Sequence, residues 1–197
     1  MTRPEPAIDP GAAGDPLAPL RDRRSCPLLT TPAPSADEVR AMLTAACSAP
    51  DHGRLRPWRF IVIDASARGP LGDAFAAGLI ERDPATDPEA LDRIRDKALR
   101  APMIVVVVSS PRTHPTVPVW EQQASAACVA YGLVLAADAL GYGAMWRTGW
   151  FGEAPKVRAH LGLADHEDVT GWIYLGTPPG SARPPRRAAE LPVSWLS

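Results

Sequence analysis

Four short stretches carry the side chains best suited to chemistry. Arg23-Arg24-Ser25 sets two guanidinium groups beside a hydroxyl, a combination that can grip a phosphate dianion through charge-assisted bonds. Ser48-Ala49-Pro50-Asp51-His52 gathers a hydroxyl, a carboxylate and an imidazole around a proline turn, and Arg54-Leu55-Arg56-Pro57-Trp58 adds further donors. Trp146-Arg147-Thr148, followed by Gly149, can present a guanidinium, a hydroxyl and close backbone to a planar ligand. Each stretch alone has an ordinary reading, since basic pairs are usually solvated and Pro-Asp is usually a turn. Together they fit a ligand with one phosphate and a flat, hydrogen-bonding ring.

These segments need a scaffold, and the pattern supplies one. Residues 124–137 are apolar or small apart from Ser125, a run of 14. That is too short for a membrane span of about 20 residues, and a helix apolar all round is expected to be buried on every side. The helix begins near Val119, and Gly141 and Gly143 supply its stop before a brief strand at Ala144-Met145-Trp146. Upstream, Ser35-Ala36-Asp37-Glu38 is a capping box that opens a helix over 36–47. Trp58 to Ile63 reads as a strand bounded by Pro57 and Asp64. Helices follow over 67–82 and 88–99, the second entered through Asp87 and Pro88. The β-branched run 103–108 suits a strand covered on both faces. A helix over 153–161 and a strand over 169–175 complete the chain. The fold class expected is α+β, four short strands with helices packed on them.

Composition narrows the partners. A chain of 197 residues, 46% hydrophobic, is expected to form one domain with one core. The net charge of −1 leaves no electrostatic footprint for nucleic acid, and no basic run marks a membrane surface; the expected partner is a small molecule. Cys26, Cys47 and Cys128 show no metal-ligand spacing and read as reduced, structural thiols of a cytoplasmic protein. No secretion signal or membrane-length segment is visible. Eight of the 23 prolines fall in residues 1–34 and five in 178–197. Residues 1–20 therefore read as a disordered leader, 21–197 as the folded domain, and 179–197 as an extended tail. The tail's Leu191, Val193, Trp195 and Leu196 are expected to dock on the core or on a second copy. No dinucleotide fingerprint, phosphate-binding loop, H-E-x-x-H or nucleophile elbow occurs. His114, His160 and His166 read as surface or capping residues, and no metal site is expected.

The motifs Arg23-Arg24-Ser25, Ala49-Pro50-Asp51-His52, Pro57-Trp58-Arg59-Phe60, Trp120-Glu121-Gln122, Gly143 to Gly149 and Leu175-Gly176-Thr177-Pro178 closely resemble the nitroreductase family, nearest to its small NAD(P)H nitroreductase branch. The resemblance spans residues 21–178 in order and spacing. It implies the nitroreductase fold, a central mixed but mainly antiparallel sheet flanked by helices, and an intertwined homodimer with FMN at the subunit interface. It implies ping-pong hydride transfer from NADH or NADPH through FMN to nitroaromatics, quinones or similar flat acceptors, with no catalytic protein nucleophile. The alternatives are a non-catalytic flavin-binding or storage protein and, further off, a flavin-cleaving or dehalogenating relative.

Carried over by residue, Arg23, Arg24 and Ser25 match FMN-binding positions, as do Trp146, Arg147 and Thr148. Ser48 and His52 match contacts to the FMN held mainly by the other subunit. Ala136, Ala137, Asp138, Ala139, Leu140 and Gly141 match a segment assigned to the nicotinamide nucleotide. Arg54 and Arg56 stand where many members carry Asn and Gln, and are candidates for the substrate mouth. Pro16 and Pro19 fall where the family has an amphipathic helix, so the dimer contacts there are expected to differ. Arg183, Arg186 and Arg187 read as solvated tail charge.

Overall fold

The computed structural model describes residues 16–180 and 192–196. Six helices, α1 (Ala18–Asp22), α2 (Ala36–Ala46), α3 (Arg68–Arg82), α4 (Pro88–Arg95), α5 (Val119–Ala139) and α6 (Pro155–His160), accompany four strands. The strands are β1 (Trp58–Ile63), β2 (Met103–Ser109), β3 (Gly143–Arg147) and β4 (Asp168–Gly176).

Local chemistry sets most boundaries. Ser35 accepts from the Glu38 amide while the Glu38 carboxylate accepts from the Ser35 amide, closing the capping box of α2. The Asp87 carboxylate caps α4 through the Ala90 amide, with Pro88 in the first turn. That helix stops at Arg95 and tightens into a 3-10 turn over Asp96–Leu99. At the end of α5, the Tyr142 amide donates to Ala137 O and the Gly141 amide to Asp138 O. Gly141 has φ +81°, a conformation that glycine adopts without steric cost. α1 starts inside the expected leader. Pro19 lies in its first turn, where a missing N–H is no loss, so this proline helps to start the helix.

The sheet runs β1-β2-β4-β3, and every pairing among the described residues is antiparallel, with none of the parallel pairing that a mixed sheet would contain. β2 lies inside and is buried along its whole length. Its side chains alternate between two cores. Ile104, Val106 and Val108 join Phe75, Phe151 and Trp172 under α3, α4 and α6. Met103, Val105 and Val107 join Met42, Val129, Leu133 and Ala137 under α2 and α5. The register between β2 and β4 slips between Val107 and Val108. Gly171 lies at this slip, where an added Cβ would come within 2.1 Å of Trp146 Nε1, so the glycine admits the indole.

α5 departs from expectation. Gln122, Ser125, Ala126, Val129, Ala130, Leu133, Val134 and Ala137 face inward. Trp120 is 67% and Tyr131 39% exposed, with Ala124 and Cys128 exposed between them. A helix expected to be covered on every side is covered by its own chain on about half of its circumference. Its composition therefore reports a face left open rather than a buried centre. Cys47 and Cys128 are likewise exposed, not structural core thiols, and all three cysteines are unpaired.

Candidate functional site

The predicted donors fall into two groups. The first lies along β3, an edge strand. The Cys26 amide donates to Ala144 O at 2.9 Å, and Thr30 exchanges backbone hydrogen bonds with Thr177. The N-terminal segment is therefore tied along the sheet, and Arg23, Arg24 and Ser25 lead into it. Arg24 Nη1 donates to Arg21 O at 3.0 Å and Arg23 O at 3.1 Å, which holds the guanidinium against its own turn. On β3, Arg147 and Trp146 point to opposite faces, as strand pleating requires. Arg147 lies 6.0 Å above the Tyr174 ring. Trp146 lies against Gly171, its Nε1 buried without a partner. Thr148 and Gly149 then leave the strand exposed.

The second group surrounds the turn after α2. His52 Nδ1 and Glu121 Oε2 are 2.7 Å apart, joining the turn to the first turn of α5. Ser48 Oγ donates to Ala45 O at 2.8 Å. Asp51 Oδ2 accepts from the Arg56 amide at 2.7 Å, so its carboxylate holds the turn. Arg54 and Arg56 have φ of 55° and 47°, left-handed conformations that non-glycine residues rarely adopt and that cluster at binding sites. Both side chains are exposed. No hydrogen bond or ion pair among the described residues links this group to the β3 group.

Ala136–Gly141 spans the end of α5, where Ala137 is fully buried and Ala139, Leu140 and Gly141 are exposed. His114 Nδ1 accepts from the Thr116 and Val117 amides, a turn cap as expected. Arg183, Arg186 and Arg187, with Leu191, lie outside the described residues. Glu121 pairs with His52 across 69 positions, a partnership that leaves no mark in local sequence. Gln122 is nearly fully buried; it donates to Arg112 O and Val117 O and accepts from the Arg112 amide, clamping the loop before α5.

The donor set fits a phosphorylated, planar cofactor. Arg23, Arg24 and Arg147 have no acidic partner among the described residues. Arg59 shows the contrast, since it is held by the Glu167 carboxylate at 2.7 Å through both Nε and Nη2. Without a carboxylate partner, Arg23 and Arg147 keep their donors for a ligand, and Arg24, which gives Nη1 to two backbone carbonyls, keeps its remaining ones. No group of three or more acidic, histidine or cysteine side chains that could hold a metal ion occurs among the described residues. There, too, no helix is long and apolar enough to cross a membrane.

Comparison with known proteins agrees with this architecture. The chain is 37% identical over 164 residues to the Escherichia coli (strain K12) protein named Putative NAD(P)H nitroreductase YdjA, covering 83% of this chain and 88% of that one. A nitroreductase-like family protein from Bacillus cereus has a TM-score of 0.76 at 22% identity, covering 90% and 93% of the two chains. A Desulfovibrio desulfuricans protein solved in complex with FMN has a TM-score of 0.64 at 26% identity, covering 87% and 94%. The signature of the nitroreductase family matches residues 20–177, and the chain belongs to that family.

Proposed function

We propose that this protein is an FMN-dependent NAD(P)H oxidoreductase that works as a homodimer and reduces flat, electron-poor acceptors such as nitroaromatics and quinones. The observation that carries the reading is the division of the donors. One chain holds an anion-ready edge at β3 and a separate polar turn at residues 48–56, and the apolar face of α5 is left open. Ser48 lines an apolar groove of about 430 Å³ with Tyr131, Cys128 and Ala127. A second copy seated on that face would bring the polar turn of one protomer to the β3 edge of the other.

In this reading Arg23 and Arg24 receive the FMN phosphate, and Ser25 adds a hydroxyl. The β3 edge at Trp146, Arg147 and Thr148 borders the ring system, with Arg147 on one face of the strand and Trp146 seated against Gly171 on the other. Ser48 and His52 reach it from the partner subunit, with Glu121 orienting the imidazole. Bound FMN supplies hydride acceptance from NADH or NADPH and its delivery to the second substrate. The chain supplies binding, orientation and charge. A guanidinium near the ring's polar edge favours negative charge there, a contribution worth roughly 2.7–4 kcal/mol in comparable sites. Arg54 and Arg56 stand at the mouth, and Ala139–Gly141 offer backbone to the nicotinamide nucleotide. Three unpaired cysteines fit a cytoplasmic setting.

Anaerobic titration with NADPH and NADH, followed by reoxidation with a panel of acceptors, tests the proposal. Bleaching of bound flavin by either nucleotide is the expected result; flavin that binds but never bleaches would indicate a storage protein. Arg24→Ala should lose FMN on dilution, by about tenfold in Kd for one charge-assisted contact. Unchanged retention would remove Arg24 from the site.

A further inference from the structure

Outside the donors already discussed, the molecule carries a second concentration of unpaired positive charge. A cavity of about 510 Å³ opens between α3, α4 and the turn at Trp150, and its rim includes Arg93, Ile94, Asp96, Lys97, Arg100 and Trp150. Arg93 is neutralised by Glu89. Lys97 and Arg100, like nearby Arg147, have no acidic partner among the described residues. Lys97 Nζ lies 5.6 Å from the centre of the Phe151 ring, and Arg82 lies 5.1 Å from that of Trp150. The Lys97 ammonium is held below its usual range by burial first, and then by Arg100 and Arg147. Like charges converging on a half-apolar cavity repel one another until an anion enters.

The cavity adjoins the proposed flavin site along the chain: Arg147, Thr148 and Gly149 lead directly to its wall at Trp150. We infer that this basic pocket takes a phosphate group on the nucleotide portion of the reductant, so that NADPH is bound in preference to NADH. The inference rests on the oxidoreductase reading above. Lys97 and Arg100 would grip the phosphate by charge-assisted bonds, the Trp150 ring would form an apolar wall, and Asp96 would accept from a sugar hydroxyl.

Calorimetry on the FMN-loaded protein tests this with two probes, adenosine 2′,5′-bisphosphate and adenosine 5′-monophosphate. The bisphosphate should bind at least tenfold more tightly at low salt and lose most of that advantage at high salt. Lys97→Met, which keeps an apolar stem on Phe151, and Arg100→Gln should each weaken it about tenfold. Both variants should leave flavin content and NADH-driven turnover unchanged. Equal binding of the two probes would overturn the inference, as would loss of FMN from either variant, which would assign these cations to the flavin. Were neither nucleotide to reduce the flavin while the bisphosphate preference persisted, the oxidoreductase reading would fail and the anion pocket would stand.

Discussion

The two faces of the sheet are finished to different degrees. Under α3, α4 and α6, Phe75 and Phe151 lie 4.6 Å apart, and each lies 5.2 Å from Trp172. The Arg59–Glu167 pair closes the rim of that layer, with Arg59 also donating to Gly162 O and Glu167 accepting from the Ala164 amide. Ile80 and Leu99 are exposed there as scattered residues, which needs no special explanation. Under α2 and α5 the core is also closed, with Met42, Val129, Leu133 and Ala137 fully buried, but Trp120, Ala124, Cys128 and Tyr131 remain exposed on the solvent side of α5. A layer completed within one chain secures the fold. A layer left open offers a seat for the proposed second copy, and Ser48 of the second group of candidate site residues lines the groove beside it.

The largest effect that can test this contrast is expected at Tyr131. Tyr131→Glu places a charge on the open face of α5 without touching either core. The proposed dimer should dissociate, with its Kd raised at least 100-fold because two carboxylates would be buried across a symmetric contact. FMN should be lost with it, while the thermal midpoint of the cofactor-free chain moves little. Light scattering and flavin absorbance read both outcomes, and an intact, flavin-loaded dimer would break the contrast.

A smaller effect, confined to the closed layer, is expected at Glu167. The Arg59 guanidinium beside it, with the Ala164 amide and Ser110, holds this carboxyl well below the usual range, to about 2, against the opposing pull of burial. A depressed acid contributes stability fully above its unfolded value of 4.5 and loses it as pH falls towards about 2. Glu167→Gln should cost on the order of 2 kcal/mol at neutral pH, less than a fully buried pair because Arg59 is partly exposed to screening solvent. It should also flatten the decline in stability between pH 4.5 and 2 that the parent shows, as followed by denaturant melts. Flavin affinity should be unaltered. A large loss of flavin in this variant would mean that the two layers are not separable.

Much of this architecture was legible because its causes are local. The capping box at Ser35, the Asp87-Pro88 start and the glycine stop after α5 are decided within a few residues, and all three stand where the pattern put them. β1 agrees with its expected bounds because Pro57 and Asp64 punctuate it. Strand order, the register slip beside Gly171 and the pairing of His52 with Glu121 depend on residues far apart in sequence, so periodicity cannot carry them. α5 departs from its pattern for a different reason. Hydrophobic composition says that a surface avoids water, and is silent on whether the cover comes from the same chain. The arginines illustrate the same limit: Arg59 and Arg147 look alike as letters, and what separates them is a carboxylate contributed 108 positions away from Arg59.

The smallest expected effect sharpens the contrast most finely. In a single chain His52 is 60% exposed and Glu121 28%, so as a surface pair their coupling should be only about 0.2–1 kcal/mol. If a second copy covers this turn, the same pair loses its solvent and its coupling should rise above that range. A double-mutant cycle of His52→Ala and Glu121→Gln, read as FMN affinity by flavin fluorescence at low and high salt, distinguishes the two environments. Coupling above about 1 kcal/mol that persists in high salt places the pair inside the subunit contact. Coupling that disappears with salt leaves His52 on the open surface and removes it from the flavin's surroundings.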